Sequence, residues 1–224
     1  RSVVLSNGEL CVALDKFAEV RDIYYPHVGL ENHVRGHYMH RIGIWVDGQM
    51  SWLSQDPAWE INISCDEESL VSSIHAHNSR IGVELAFTDT VYNERSVFIR
   101  RVLVTNVFDK NREIKLYFGH EFEIYKSHGS DTAYFDPESH SIIHYKGRRA
   151  FLMRAILDGA VFDDYTTGRV NFHGLQGSYR DAEDGVLSKN PIEHGPADSV
   201  IGLSASYEAG QSRTCYYWLI AAQS

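Results

Sequence analysis

The chain has 224 residues, 43% of them hydrophobic and 23% charged, an ordinary balance for a folded protein and long enough to bury a large core as one domain over residues 1–224. A formal net charge of −9 argues against nucleic acid as a partner, because proteins that track phosphates concentrate positive charge. No run approaches the roughly 20 apolar residues that span a bilayer, which argues against a membrane partner.

From the N-terminus, residues 3–6 and 9–14 flank Asn7-Gly8, a strong signal for a two-residue hairpin turn. Residues 22–32 come next, reading Asp-Ile-Tyr-Tyr-Pro-His-Val-Gly-Leu-Glu-Asn. Pro26 drives Tyr25 into an extended conformation and removes a backbone donor, so the segment reads as an edge strand running into a loop. Residues 42–46 alternate into Asp47-Gly48 and on to Met50, Trp52 and Leu53, a second hairpin. Ile81, Val83, Leu85 and Phe87 share one face of a half-buried strand. Residues 97–108 are more continuously apolar, broken by Arg100-Arg101. A turn at Phe108-Asp109-Lys110-Asn111 then predicts an antiparallel partner strand carrying Leu116, Phe118, Phe122 and Ile124. Residues 141–145 and 149–156 flank Lys146-Gly147, a third hairpin. The best helical candidate is short, residues 179–187, with acidic Asp181, Glu183 and Asp184 near its start. Residues 199–207 and 213–222 close the chain as strands. Many short strands with tight turns and few helices predict an all-β fold, a large antiparallel two-sheet β-sandwich.

The residues that packing explains least lie in the 22–32 segment. Tyr24 and Tyr25 offer flat faces, while His27, Glu31 and Asn32 offer hydrogen-bonding groups around them, a combination suited to a sugar ring with apolar faces and a hydroxyl rim. These five are the candidate substrate-binding residues, against the plainer reading of a rigid turn with a buried tyrosine pair. Glu121 and Glu123 share a strand face at a spacing of about 7 Å, within the range for paired carboxylates of sugar hydrolysis. Alternation also puts them on a polar face opposite Phe118 and Phe122, where solvated glutamates are normal. His75 with His77, and His37 with His40, have the spacing of metal-ligand pairs, but no third ligand can be named among the 12 histidines. No metal site, cofactor motif or catalytic residue is therefore assigned. Cys11, Cys65 and Cys215 are odd in number and lack metal-like spacing, which favours a reducing compartment, the cytoplasm, with secretion of a mature chain as the alternative. A start without methionine and an apolar run at the end read as a fragment cut at a domain boundary.

Taken in order, several motifs carry a resemblance: Asn7-Gly8; Asp22-Ile23-Tyr24-Tyr25-Pro26-His27-Val28-Gly29 with Glu31-Asn32-His33; Asp131-Thr132-Ala133; and His144-Tyr145-Lys146-Gly147-Arg148-Arg149. The last are Tyr179-Arg180-Asp181-Ala182-Glu183-Asp184-Gly185-Val186-Leu187-Ser188-Lys189-Asn190-Pro191-Ile192 and Asp198-Ser199. Together they resemble the N-terminal domain of glycoside hydrolase family 15, the prokaryotic glucoamylase, glucodextranase and trehalase-like group, through nearly the whole chain. The resemblance implies a β-supersandwich related to galactose mutarotase-like domains. Its partner would be a C-terminal (α/α) six-hairpin catalytic domain of the same protein, which holds both catalytic glutamates and hydrolyses α-glucosidic bonds with inversion. The catalytic positions have no counterpart in this sequence, so the chain alone is expected to be inactive; on the chemical grounds above, the 24–32 loop is the candidate wall of an oligosaccharide pocket, against the reading that it only buttresses the catalytic domain. Two other readings stand beside this one. A free-standing carbohydrate-binding module would display Trp45, Trp52 and Trp59 as a stacking platform. An aldose mutarotase-like enzyme would need a His and a Glu converging on a sugar ring oxygen.

Overall fold

A computed structural model describes residues 1–66, 69–127 and 129–223. Its strands begin with β1 (Val3–Ser6), β2 (Cys11–Leu14), β3 (Val20–Tyr24), β4 (Ile42–Val46), β5 (Gln49–Trp52) and β6 (Glu60–Cys65). β7 (Ser72–Asn78), β8 (Val83–Val91), β9 (Val97–Asn106), β10 (Arg112–Glu121), β11 (Asp131–Asp136) and β12 (Ser141–Lys146) follow. The remainder are β13 (Arg149–Leu157), β14 (Ala160–Val161), β15 (Asp164–Arg169), β16 (Ile192–Gly195), β17 (Ala197–Tyr207) and β18 (Ser212–Gln223).

These strands form a 10-stranded sheet in the order β16-β11-β12-β13-β18-β9-β8-β7-β6, with β14 on β13, and a 5-stranded sheet β15-β17-β10-β4-β5. A 3-stranded sheet, β1-β2-β3, is added to this sandwich. Pairing is antiparallel throughout the central strands, as the sequence predicted. The period of 2 explains the layering. In β8 every second residue, Val83, Leu85, Phe87, Asp89 and Val91, points inward. The inner faces meet through aromatic contacts: Phe118 lies 4.7 Å from Tyr217, and Phe122 stacks on Phe151 at 4.8 Å.

The Asp47-Gly48 turn is a two-residue hairpin with φ of 52° and 79°, the left-handed pair that matches strand twist. Two other turns differ from expectation. Asn7-Gly8 lies in the longer loop of residues 7–10, because the Asn7 side-chain oxygen accepts from the Glu9 and Leu10 amides and widens it. In the third hairpin Lys146 pairs with Arg149, so the turn sits at Gly147-Arg148.

β9 and β10 are not partners. Both edges of β9 are occupied, by β8 and β18, so residues 107–111 carry the chain across to the other sheet, where β10 inserts between β4 and β17. The helical candidate is a 3-10 turn, Ser178–Asp184, that ends at Gly185 in the left-handed region.

Arg100, read from sequence as a break in an apolar strand, points into the interior. Its guanidinium makes two 2.8 Å bonds to Asp89 and a third, also 2.8 Å, to the Ala18 carbonyl, tying the small sheet to the large one. Removing one member of such a pair strands the other in low dielectric. Arg100→Met is expected to destabilise the chain by about 3–5 kcal/mol in urea unfolding, and a loss below about 1 kcal/mol would show the pair to be dispensable.

Candidate functional site

β3 leads into a finger, residues 25–31, whose base is fixed by its own backbone and by three side chains. Tyr25 N–H donates to the Glu31 carbonyl, and the Leu30 and Glu31 amides donate to the His27 carbonyl. The Asn32 carboxamide oxygen accepts from the Ile23 and Val34 amides while its NH2 donates to Asp22. His33 donates through Nε2 to the Tyr25 carbonyl at 2.7 Å, and its Nδ1 accepts from the Tyr125 amide. Arg149, at the start of β13, grips the Glu31 carboxylate with bonds of 2.9–3.1 Å.

The five sequence-predicted residues therefore separate. Tyr25, 5% exposed, packs edge-on against Phe151 in the core, and Asn32 is buried as a strut, so neither offers a face to a ligand. Their aromatic and amide groups satisfy the fold, whereas the plainer reading from sequence had both tyrosines buried. Glu31 is half-buried and committed to Arg149, and Tyr24 is half-buried on β3. His27 is exposed at the tip, together with Val28 and Leu30, the latter 68% exposed. What sequence reasoning missed here is Arg149, visible only as part of a motif more than a hundred residues away.

A second cluster lies on the outward face of the five-stranded sheet. Glu121 ends β10 and is 4% exposed, not solvated as alternation implied, because residues 34–41 and 170–179 cover that face. Its cross-strand neighbour on β17 is Asp198, a closer carboxyl partner than Glu123, which lies past the strand and pairs with Arg35. Asp198 accepts from both the amide and the hydroxyl of Ser178. Glu121 accepts from Arg41 Nε at 3.2 Å and the Met39 amide at 3.3 Å. Desolvation raises both carboxyls, Glu121 to about 7 and Asp198 to about 6.

The histidine pairs do not converge as metal sites. His75 and His77 lie on the outward face of β7, where His77 faces Glu84, and His37 is exposed while His40 is buried. Among the described residues no group of three or more His, Cys, Asp or Glu has metal-binding geometry. His40 instead joins His120 and His144 between the sheets, and Ser199 Oγ bridges His120 at 3.0 Å and His144 at 2.8 Å. Burial pushes His40 and His144 down to about 3 and His120 well below its ordinary value. Trp52 and Trp59 are buried and Trp45 is half-buried, so the three form no exposed platform.

The fold is a large antiparallel β-sandwich, an architecture shared with solved proteins. An uncharacterized glycosyl hydrolase of Methanocaldococcus jannaschii is 26% identical over 210 residues, 93% of this chain and 32% of the relative. The chain thus spans about a third of that relative's length. A bacterial glucoamylase complexed with acarbose matches with a TM-score of 0.75 at 11% identity, covering 100% of this chain and 32% of that one. A galactose mutarotase-like protein from Lactobacillus casei matches with a TM-score of 0.53 at 11% identity over 98% of this chain and 99% of that one. No protein-family model matches the chain.

The buried ionisable groups set a pH optimum. Glu19, raised by burial to about 8, joins Glu121, Asp198 and Asp131 (about 7) in holding protons more tightly folded than unfolded. Such acids add stability as pH falls from about 8 towards their ordinary values of 4.5 and 3.8. The three histidines act oppositely, since unfolding lets them protonate, and stability is lost as pH falls below 6.5. The melting temperature is expected to rise as pH is lowered from 8 to 6.5 and to fall steeply below about 4.5; a melting temperature that climbs steadily into alkali would contradict this assignment.

Proposed function

We propose that the chain is the N-terminal, non-catalytic β-supersandwich of a family 15, glucoamylase-type glycoside hydrolase. In this reading it supports an (α/α) six-hairpin catalytic domain and lends the finger to a wall of the oligosaccharide pocket. The observation that carries the reading is the relationship to a glycosyl hydrolase across 93% of the chain. The motifs that raised the family resemblance add support, because they meet in space. Glu31 is gripped by Arg149, Lys146 lies 3.2 Å from Asp131, and Asp198 binds Ser178 next to Tyr179.

The surface has features suited to such a partner. The outward faces of β9, β13 and β18 carry Ile99, Leu152, Trp218 and Ile220, all half-buried, flanked on the same face by Arg101 and Arg154. Register makes them contiguous, with Leu152 opposite Ile220 and Trp218 opposite Ile99. This apolar band begins beside the Arg149–Gln223 pair, the point at which Arg149 holds the finger.

A second reading, an aldose mutarotase-like enzyme, is favoured by the near-complete overlap with the Lactobacillus casei protein. Anomer interconversion of glucose or galactose by the isolated chain would support it against the first.

In the full-length enzyme, His27→Ala and Leu30→Ala are expected to lower kcat/KM on maltooligosaccharides by roughly tenfold or more. Because both side chains are exposed, stability should change by no more than about 0.5 kcal/mol. Unchanged activity in folded variants would remove the finger from the pocket.

A further inference from the structure

Residues 170–179 descend on the outward face of the five-stranded sheet and leave a cavity of about 510 Å³ above the end of β10. That volume falls within the range of small-molecule sites, about 300–1,000 Å³. Its floor is Glu121, Arg41 and Tyr179, and its rim carries His37, Asn171 and Gln176. The loop can come this close because Gly177 adopts a φ of 129° and any Cβ there would sit 2.9 Å from Asp198 Oδ2.

The floor is unevenly satisfied. A carboxylate has about four lone-pair sites, and among the described residues Glu121 receives two long bonds, from Arg41 and Met39. Asp198, directly across the strand pair, is capped by Ser178 and needs nothing further. Arg41 Cζ lies over the Tyr179 ring, 4.2 Å from its centroid, with its Nε on Glu121, so its guanidinium is held in place at the cavity floor. On the rim, the Gln176 carbonyl accepts from Arg180 Nε at 2.7 Å, which leaves its NH2 to meet a ligand. The floor therefore offers a fixed acceptor beside a fixed donor, and the rim adds an amide donor and an exposed imidazole.

We propose that this cavity binds an uncharged sugar ring, whose hydroxyls donate to Glu121 and accept from Arg41 and Gln176. Charge selects this class. An anion would face Glu121 and Asp198, and a cation would face Arg41, whereas vicinal hydroxyls match an acceptor and donor held side by side. The choice of glucose and maltose as probes rests on the family 15 reading. The two fail separately: a parent enzyme that hydrolyses maltooligosaccharides while this chain binds no sugar sinks only the cavity site, and sugar binding by a chain whose parent is not a hydrolase sinks only the family assignment.

The test is titration of the isotope-labelled chain with glucose, maltose and galactose, followed by amide NMR shifts and calorimetry, with sulfate and calcium as charged controls. The expected result is saturable shifts at Arg41, Glu121 and residues 174–178 with at least one sugar. Gln176→Ala should weaken binding about tenfold, the loss of one hydrogen bond to the ligand. Leu175→Trp, on the exposed rim and so without effect on folding, should fill the cavity and abolish binding. The proposal is overturned if no sugar gives saturable shifts at these positions, if sulfate or calcium binds there in preference, or if both variants bind as the parent chain does.

Discussion

β10 is the strand on which the two halves of the molecule depend, because both of its faces are covered. Its even-numbered residues from Ile114 to Phe122 fill the space between the sheets, while Lys115, Tyr117, Gly119 and Glu121 face the other way. A strand in the middle of a two-layer sandwich ordinarily gives one of these faces to water. Here the 3-10 turn Ser178–Asp184 and its flanking loops close over it, with Tyr117 and Lys115 both donating to the Gly185 carbonyl at 2.8 Å. The cover creates a second apolar cluster, with Trp52, Tyr117, Tyr179, Leu187 and Val200, outside the main core. It also takes Glu121 out of water, and Arg41 is the group that makes this tolerable.

The parts of this arrangement legible in the sequence are those set by local rules. Alternation in β8 and the Asp47-Gly48 turn follow from strand period and backbone sterics, so they survive any tertiary context. Pairing does not. The segment Phe108-Asp109-Lys110-Asn111 has the composition of a hairpin turn and of a sheet-to-sheet crossover alike, and what decides is that β18, from the far end of the chain, already occupies the edge of β9. The same limit governs Glu121. Alternation places it correctly opposite Phe118 and Phe122, yet one strand's pattern holds no information about the cover supplied by residues 170–179. The finger was legible as an unusual turn through Pro26, but the partition of its residues into strut and tip was set by Phe151 and Arg149 on another strand.

The interior polar groups show why counting titratable residues does not locate a site. His40, His120 and His144 are clustered, buried and strongly shifted, three properties that mark functional centres. They lie between Phe122, Tyr217 and the inner strand faces, and their shifts record desolvation first. Neutral imidazoles in such a layer behave as aromatic packing with a hydroxyl bridge at Ser199.

The useful distinction is between a buried polar group whose bonds are complete, one that is unsatisfied but sealed, and one that keeps spare acceptor capacity on a cavity wall. Asn32 and Asp198 belong to the first kind, their bonds closed within the fold, and a ligand would have to break existing contacts to reach them. His40 belongs to the second: among the described residues neither ring nitrogen has a hydrogen-bond partner, but Phe122 and His120 pack against the ring. Glu121 alone of these combines spare acceptor capacity with a place on a cavity wall. Desolvating a carboxylate costs free energy that two long hydrogen bonds offset only in part, and any hydroxyl that reaches it recovers some of that cost. The recovered free energy is the driving force that the Asn32 strut, for all its polarity, does not have.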